Sequence, residues 1–375
     1  MKIVCDTNIP EAERVCSSLG QTVLAPGRQI SSHMVKDADA LLVRSVTPVD
    51  ARLLEGSSVR FVASATIGVD HIDLDYLRRS AIAFAYAPGC NADSVAQYVV
   101  ASLAWCARTT GWDPSGKTIG IIGVGNVGSR VARLSRALGL RPLLNDPPRA
   151  RAEHDDVFRP LEEVLAQADV VTMHVPLTMA GTDATYHLVD ERFVRRMKPG
   201  AIFVNTSRGR VVDEQALLGH RQRLHALILD VFDNEPSPSA DIVRNCTLAT
   251  PHIAGYSHDG KIRGTQMVYE ALCRHLGRTP RIDLLAEIAA VVEAMEPSPD
   301  GQSVCDTILR AYPVHEDHAR FAPILRLSND ERAAFFDRLR REYPVRLEFS
   351  HYRVPAGAAQ PDVLTALGFR TDASS

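Results

Sequence analysis

Short apolar runs alternate with amphipathic segments along the first 95 residues of the chain. Runs rich in β-branched and apolar residues predict strands at residues 2–5, 39–43, 60–63 and 81–85. Apolar positions at helical spacing predict helices at residues 11–19 and 74–79. This alternation is typical of a parallel sheet with crossover helices. A longer helical pattern at residues 91–108 leads into the next block.

The same alternation is clearer in a second block, at residues 117–253. Six apolar runs predict strands, at residues 118–122, 141–145, 169–174, 201–205, 224–230 and 247–250. Helical patterns lie between them, at residues 127–138, 161–168, 191–197 and 213–220. Six strands with intervening helices predict a doubly wound parallel sheet.

The pattern changes again towards the end of the chain. Residues 255–280 contain a helical pattern at 264–276, which we expect to return to the first domain. Beyond residue 280 the sequence predicts helices at 284–295 and 330–342 and a strand at 345–349. Because this last part mixes helices and a strand, we expect a separate α+β domain there.

Composition narrows the class of protein. The chain has 375 residues, 45% of them hydrophobic, and a formal net charge of −3. That length allows two or three domains, and that charge gives no general attraction to nucleic acid. The apolar runs are too short for a membrane span, which takes about 20 residues. The seven cysteines contain no CxxC pair, so we expect a reducing, cytoplasmic setting rather than a disulfide framework.

A glycine motif follows the first strand of the second block. Gly123, Gly125 and Gly128 form G-x-G-x-x-G between a buried strand and a helix. The first glycine permits the tight turn, the second admits a pyrophosphate to the backbone, and the third lets helix and strand pack closely. The helix N-terminus then offers free N–H groups to phosphate. This context predicts a dinucleotide site rather than an ordinary glycine-rich turn.

An acidic residue ends the next strand. Asp146 lies about 20 residues beyond the glycines, where a carboxylate bonds the ribose hydroxyls. A carboxylate there repels a 2′-phosphate, so NAD is favoured over NADP, although Arg149 and Arg151 follow closely. The alternative for Asp146 is a residue that only caps the following loop.

Three further strand ends carry groups suited to oxidising a 2-hydroxy acid. Arg208, Glu235 and His252 follow successive predicted strands. Parallel strands present their carboxyl ends at one edge of the sheet, so the three side chains can converge. Histidine is a base near neutral pH, a glutamate fixes its tautomer, and an arginine grips a carboxylate. Each residue alone also has an ordinary structural explanation.

At these residues the chain resembles the D-2-hydroxyacid dehydrogenase family over about residues 1–280, including the turn at residues 174–177. Residues 42–47, 63–70, 87–95 and 252–257 narrow the resemblance to the branch that oxidises 4-phosphoerythronate. Thr7 departs from that pattern, which has glutamate there. The resemblance implies two doubly wound domains, a flavodoxin-like substrate domain and a Rossmann NAD domain, with a C-terminal α+β dimerisation domain.

The resemblance also implies boundaries and contacts. The substrate (lid) domain would be residues 1–95 and 255–280, the NAD-binding domain 96–254, and the homodimerisation domain 281–375. Substrate contacts are implied at Ser45, Thr66 and Tyr256. Cofactor contacts beyond the glycines and Asp146 are implied at Asn126, Val127, Val175, Ser207, Asp230 and Gly255. Val175 offers only its backbone for a hydrogen bond.

The implied reaction is NAD-dependent oxidation of 4-phospho-D-erythronate to 2-oxo-3-hydroxy-4-phosphobutanoate, in pyridoxal 5′-phosphate biosynthesis. Arg44, Ser45 and Tyr256 are candidate donors to the substrate phosphate, although Arg44 at a strand end is equally consistent with an exposed charge. Two alternatives stay open from the residues: a sibling dehydrogenase for phosphoglycerate, glyoxylate or hydroxypyruvate, and an NAD-sensing regulatory protein of the same fold. His315 and His318 lie three apart, but the proposed chemistry needs no metal.

Overall fold

The computed structural model describes residues 1–295, 303–355 and 358–371. Strands and helices alternate through the first part of the chain. The strands are β1 (Lys2–Asp6), β2 (Gln21–Ala25), β3 (Ala40–Val43), β4 (Phe61–Ser64) and β5 (Ala83–Tyr86). The helices are α1 (Ala12–Ser17), α2 (Ser32–Val35), α3 (Ala51–Leu54), α4 (Leu74–Arg79) and the long α5 (Ala92–Thr110).

A second set of alternating elements follows. Its strands are β6 (Thr118–Ile122), β7 (Arg141–Asn145), β8 (Val170–Met173), β9 (Ala201–Asn205), β10 (Leu224–Leu229) and β11 (Leu248–Ala249). Its helices are α6 (Asn126–Ala137), α7 (Pro147–Glu153), α8 (Leu161–Gln167), α9 (Glu191–Arg196), α10 (Glu214–Gly219) and α11 (Ala240–Asn245).

The remaining described chain is mainly helical. Its helices are α12 (His258–His275), α13 (Leu284–Ala289), α14 (Val304–Ala311), α15 (Val314–Phe321), α16 (Asn329–Arg341) and α17 (Pro361–Leu367). A short parallel pair, β12 (Glu293–Ala294) and β13 (Tyr352–Arg353), lies among them.

Two compact units divide the chain. One contains residues 1–92 and 256–292, and the other contains residues 93–255 and 293–375. The residues of the predicted C-terminal domain from 293 onwards therefore group with the nucleotide-binding part of the chain. The predicted boundaries, and the role of residues 281–375 as a dimerisation domain, stay predictions.

The first unit is built on a five-stranded parallel sheet in the order β2-β1-β3-β4-β5. Alternate residues of its central strands point to opposite faces, with Ile3 and Cys5 in one buried cluster and Val4 in another. Helices α1 and α12 contribute to the first cluster and α2 to α4 to the second. Because both faces are covered, the carboxyl edge of the sheet is left for binding.

The second unit is built on a six-stranded parallel sheet in the order β11-β10-β9-β8-β6-β7. A further parallel bridge joins Leu144 of β7 to Phe158. The chain order reverses between β6 and β8, which is the topological switch point where open α/β sheets bind ligands. Phe321 and Phe336, from α15 and α16, are fully buried in the core on one face of this sheet.

Several helices begin where a side chain caps the free N–H groups of the first turn. Asp73, Asp190 and Asp213 accept hydrogen bonds from the main chain at the starts of α4, α9 and α10. Ser257 does the same for α12, which therefore begins six residues before the predicted start at residue 264. The apolar spacing does not show this start, because the first turn of the helix contains polar residues. Ser257, a typical N-cap residue, was the signal in the sequence that could have located it.

The predicted fold class is confirmed: two parallel-sheet α/β domains are followed by a mainly helical C-terminal region.

The predicted strand at residues 345–349 is wrong. Arg346 and Glu348 are buried there, and the Phe349 N–H donates to Gln97 Oε1 at 3.2 Å, so the backbone bonds a side chain instead of a strand. The predicted helix 284–295 ends at Ala289, and Glu293 and Ala294 pair with β13. The pattern also missed β2, in which only Ala25 is buried.

Candidate active site

The carboxyl ends of three adjacent strands align in register. Asn205 of β9 and Ala249 of β11 both pair with Leu229 of β10. Just beyond these ends, the Asp230 N–H donates to Asn205 O at 3.0 Å, and the His252 N–H donates to Asp230 O at 2.7 Å. The loops that carry Arg208, Glu235 and His252 therefore leave the same edge of one sheet.

Glu235 and His252 form a hydrogen-bonded pair. His252 Nδ1 lies 2.7 Å from Glu235 Oε2, and Glu235 Oε1 accepts the Phe232 N–H at 2.9 Å. The carboxylate is therefore held by one main-chain bond while it orients the ring. With an ionised glutamate, Nδ1 carries the ring proton, which leaves the Nε2 lone pair to act as a base. The His252 side chain is 32% exposed, so the ring is not sealed inside the core.

The environment of Glu235 keeps its carboxylate ionised. Burial, the largest single effect, would raise the pKa of Glu235, but the charge and hydrogen bond of His252 oppose it. The Phe232 N–H and the positive charge of Arg340 add to that effect, and together they lower the pKa of Glu235. The partner of His252 is therefore an anion that stabilises an imidazolium.

Asp230 organises the turn that carries His252. Its Oδ1 accepts Thr250 Oγ1 at 2.6 Å and the Ile253 N–H at 2.8 Å, and its Oδ2 accepts the Ala254 N–H at 2.9 Å. These bonds support His252 in the left-handed region, at φ 58°. Burial raises the pKa of Asp230 to about 6, against the opposing charge of His252 and these hydrogen bonds. Asp230 is thus a positioning residue, and its predicted cofactor contact stays a prediction.

Arg208 lies in a turn built around Asn205. Asn205 Nδ2 donates to Arg208 O at 2.9 Å, and Asn205 Oδ1 accepts the Ser207 N–H at 3.0 Å and Ser207 Oγ at 2.8 Å. The next residue, Gly209, touches the loop after β10: a Cβ there would lie 1.9 Å from the carbonyl of Phe232. Only glycine allows this close approach, which brings the Arg208 turn against the loop that leads to Glu235.

The glycine motif forms the turn between β6 and α6. Gly123 has φ +86°, and a Cβ on Gly128 would lie 2.1 Å from Gly123 O, so both glycines serve the turn itself. Gly125 differs, because a Cβ there would meet no atom within 4 Å. The open space beside Gly125, at the N-terminus of a 12-residue helix, fits a pyrophosphate.

Asp146 caps the following helix and also bonds the glycine turn, while its contact with a ribose stays a prediction. Its Oδ2 accepts the Val124 N–H at 2.8 Å inside the glycine turn, and its Oδ1 accepts the Arg149 N–H at 3.1 Å at the start of α7. Each carboxylate oxygen keeps a further lone pair for a ribose hydroxyl. Arg149 is paired with Glu153 and Arg151 with Asp183, so both arginines have acidic partners. This arrangement favours NAD over NADP.

The other predicted cofactor residues lie around this turn and the nearby strand ends. Asn126 and Val127 open α6, and Val175 packs beside Gly123, within 2.8 Å of where a Cβ would stand. Ser207 is 6% exposed and bonded to Asn205. Gly255 follows Ala254 in the turn that begins at His252. Their contacts with NAD stay predictions.

The predicted substrate residues belong to the first unit. Ser45 is exposed just beyond β3, and Thr66 lies just beyond β4, where Thr66 Oγ1 donates to Gly68 O at 3.0 Å. Arg44 precedes Ser45, and its Nη1 is buried without a hydrogen-bond partner among the residues that the structure describes. The Lys261 ammonium lies over the Tyr256 ring, 4.7 Å from its centroid. The Arg44 side chain is half-buried, so Arg44 is not the exposed charge that the sequence also allowed.

Two features of other functional classes are absent from the described residues. No group of three or more His, Cys, Asp and Glu side chains stands ready to hold a metal ion within the described ranges. No helix among the described residues has the length and apolar character to span a bilayer.

Sequence reasoning missed Asn205 and Thr250 as organisers of the site. Asn205 bonds the Arg208 turn, and Thr250 Oγ1 bonds Asp230 and lies 2.7 Å from Tyr98 Oη. The available signal was a polar residue at the last position of an otherwise apolar strand. Such a buried polar group needs partners, which predicts a local network but does not identify its members.

Comparisons with known proteins agree with this geometry. The profile of the D-isomer specific 2-hydroxyacid dehydrogenase NAD binding domain matches residues 91–254. An erythronate-4-phosphate dehydrogenase of Salinibacter ruber is 47% identical, with 96% of this chain and 95% of the relative covered. The same enzyme of Chromohalobacter salexigens is 44% identical, with 100% of both covered.

Solved structures show the same fold at lower identity. A D-lactate dehydrogenase from Aquifex aeolicus, complexed with NAD and lactic acid, superposes with a TM-score of 0.64. The two are 24% identical, and the match covers 74% of this chain and 96% of the other. The predicted cofactor, NAD, and the predicted enzyme class are confirmed. With relatives alike over nearly its whole length, the chain belongs to the erythronate-4-phosphate dehydrogenase family, among the D-isomer-specific 2-hydroxyacid dehydrogenases.

Proposed function

We propose that this protein oxidises 4-phospho-D-erythronate to 2-oxo-3-hydroxy-4-phosphobutanoate with NAD, as a step of pyridoxal 5′-phosphate biosynthesis. The observation that carries the chemistry is the 2.7 Å bond between Glu235 and His252, at the edge of the sheet that also bears Arg208. The substrate is inferred from the near full-length likeness to relatives named erythronate-4-phosphate dehydrogenase.

Oxidation removes a proton from the C2 hydroxyl and a hydride from C2. The glycine turn at Gly123, Gly125 and Gly128 would hold NAD, which would supply the acceptor for this hydride. His252 Nε2 accepts the hydroxyl proton, and the C2–O bond becomes a carbonyl. Glu235 stabilises the imidazolium that results, as the acid does in a serine-protease triad. Acid–base help of this kind contributes roughly 10²–10⁴-fold to the rate.

Arg208 binds the substrate carboxylate and polarises the forming carbonyl in this proposal. Its guanidinium remains charged at all relevant pH values and offers a planar fork of donors that matches a carboxylate. The bonds of Asn205 to the Arg208 turn hold the main chain that carries this fork. Charged hydrogen bonds of this type contribute about 1.5–3 kcal/mol each.

Ser45, Thr66 and Tyr256 bind the substrate in the proposal, and Arg44 supplies the cation for its phosphate. A buried guanidinium nitrogen without a partner costs free energy, so Arg44 Nη1 is suited to an anionic ligand. Phosphate takes several donors, and the hydroxyl groups of Ser45 and Tyr256 provide them.

The residues around the glycine turn and the neighbouring strand ends bind the cofactor in this proposal. We propose contacts with NAD from Gly123, Gly125, Asn126, Val127, Gly128, Asp146, Val175, Ser207, Asp230 and Gly255. The open space at Gly125 supports the pyrophosphate position, and the Asp146 carboxylate supports the ribose position. We also propose a cytoplasmic homodimer, joined through residues 281–375.

A direct assay tests the proposal. Purified protein is mixed with NAD and 4-phospho-D-erythronate, and NADH formation is followed, beside 3-phosphoglycerate, glycerate and lactate as competing substrates. We expect turnover highest with 4-phospho-D-erythronate, and loss of it in Arg208→Ala. Preference for another acid would replace the substrate, and binding of NADH without turnover on any acid would indicate a regulatory protein.

A further inference from the structure

A buried arginine from the C-terminal region contacts the turn that carries His252. Arg346 is 7% exposed, and its Nη2 donates to Ala254 O at 2.8 Å and also to Ser94 Oγ. The guanidinium carbon lies 4.1 Å from the centroid of the Tyr312 ring, so a cation–π contact holds the group in place. Arg346 lies 92 residues beyond Ala254 in the chain.

Ala254 is held on both its main-chain groups. Ser94 Oγ donates to Ala254 O at 2.8 Å, while the Ala254 N–H donates to Asp230 Oδ2 at 2.9 Å. Because Ala254 lies two residues beyond His252, these bonds fix the path of the main chain just after His252. A shift of this carbonyl would pass directly to the His252 backbone.

The same C-terminal region also contacts the strand before His252. The Ala249 N–H donates to His318 Nδ1, on α15, at 3.0 Å. Tyr98, whose hydroxyl lies 2.7 Å from Thr250 Oγ1, packs with its ring centroid 6.2 Å from that of Tyr312. Side chains from residues 303–355 therefore contact both ends of the segment 249–254: His318 bonds Ala249 and Arg346 bonds Ala254.

Arg346 costs free energy to bury, so its position needs a reason. Its Nε and Nη1 have no hydrogen-bond partner within the described ranges. The nearby carboxylate of Asp317 accepts the hydroxyl groups of Tyr312 at 3.2 Å and Tyr343 at 2.7 Å. Apolar residues of similar volume often stabilise a core as well as or better than buried charges. The bonds from Nη2 to Ala254 and Ser94 are what an apolar residue could not supply.

We propose that Arg346 is a positioning residue for catalysis, which holds the main chain beyond His252 so that the imidazole keeps its bond to Glu235. The C-terminal region is then part of the catalytic unit, in addition to any role in assembly. This inference rests on the proposed function for the task of His252, but not on the identity of the substrate.

The test compares three variants with the unmodified full chain. Arg346→Met removes the donors and keeps much of the volume, Arg346→Lys keeps one charged donor, and Ser94→Ala removes one partner of Arg346. The control is Arg341→Met, since Arg341 is exposed and forms an ion pair with the adjacent, equally exposed Glu342. Each protein is measured for kcat, KM, NAD affinity by fluorescence quenching, and amide hydrogen exchange by mass spectrometry.

We expect Arg346→Met to lower kcat about tenfold to a hundredfold, since small misplacements of catalytic groups have effects of that size. KM for the hydroxy acid and NAD affinity should change little, and Arg346→Lys should recover part of the rate. Exchange should rise in the peptide covering residues 250–257 but not across the six-stranded sheet. Arg341→Met should match the unmodified protein in every measurement.

An unchanged kcat with unchanged exchange at residues 250–257 in Arg346→Met would overturn the inference. If Arg346→Met does not fold, Ser94→Ala decides by the same measurements, with a smaller loss of kcat expected. Hydrogen exchange separates the two hypotheses: faster exchange at residues 250–257, in a protein that turns over no 4-phospho-D-erythronate, would refute the proposed substrate and support the positioning contact.

Discussion

The carboxyl edges of the two parallel sheets differ in how their polar groups are satisfied. At the edge of the six-stranded sheet, Asp230 accepts three hydrogen bonds and Asn205 takes part in three, all within the same unit. At the edge of the five-stranded sheet, Arg44 Nη1 and Asp6 Oδ2 are buried and have no hydrogen-bond partner in the described part of the chain. Asn91 Oδ1, at the start of α5, is buried in the same state.

This difference distinguishes two functions, catalysis at one edge and substrate binding at the other, although polar residues end the strands at both edges. A network whose members bond one another fixes the geometry of the chemistry before substrate arrives, as catalysis requires. Buried polar atoms without partners are costly, and a ligand that satisfies them gains the corresponding free energy. We therefore expect changes at the first edge to reduce kcat and changes at the second to raise KM.

The largest effect should come from His252. We expect His252→Asn to lower kcat about 10²–10⁴-fold, because the base is lost. Asparagine is chosen since it tolerates the left-handed backbone at φ 58°. His154→Asn is the matched control, because His154 also has a positive φ, of 53°, and is exposed. Steady-state kinetics with NAD affinity measured separately checks this, and an unimpaired kcat would remove His252 from the mechanism.

Glu235→Gln should follow, with a loss in kcat of about 10²-fold or more. The glutamine amide can donate to Nδ1, which places the ring proton on Nε2 and blocks the base. In molecules with the correct tautomer, the imidazolium lacks its anion, so proton transfer to Nε2 should be slower. Glu191→Gln, at an exposed i,i+4 ion pair, is the control. Steady-state kinetics checks this prediction, and an unchanged kcat would contradict the assigned role of Glu235.

Arg44→Met tests the other edge of the comparison. We expect KM for 4-phospho-D-erythronate to rise about 10–100-fold, the equivalent of one or two charged hydrogen bonds, with kcat little changed. NAD affinity should be unaffected. Arg52→Met is the control, since the Arg52 side chain is 86% exposed. A fall in kcat with an unchanged KM would place Arg44 with the catalytic groups and break the comparison.

Gly125→Ala should have the smallest effect. Its Cβ meets no atom within 4 Å, so thermal stability should stay within about 0.5 kcal/mol of the unmodified protein. The methyl group occupies the space proposed for the pyrophosphate, so we expect NAD affinity to fall about tenfold, or ~1.4 kcal/mol. Titration calorimetry and thermal melts check the two parts. By contrast, Gly128→Ala should destabilise the fold, because its Cβ would lie 2.1 Å from Gly123 O.

Much of the fold could be predicted because period-2 and period-3.6 patterns report burial residue by residue. The predicted strands at 118–122, 141–145 and 201–205 match β6, β7 and β9. Strand β2 was missed because much of it is exposed, and residues 345–349 were assigned wrongly because an apolar alternation does not reveal whether a partner strand exists. Local pattern reports local burial, and pairing is a property of the whole chain.

For the site, the sequence by itself determined the kinds of chemistry: a glycine turn for a dinucleotide, and an arginine, a glutamate and a histidine at successive strand ends. Those assignments follow from residue type and spacing, which local geometry controls. Only the tertiary structure decided that Asp230 bonds the His252 turn, and that Ser94, Ala254 and Arg346 meet in one buried contact. Such contacts join residues far apart in the chain, and packing, not spacing, brings them within hydrogen-bond distance.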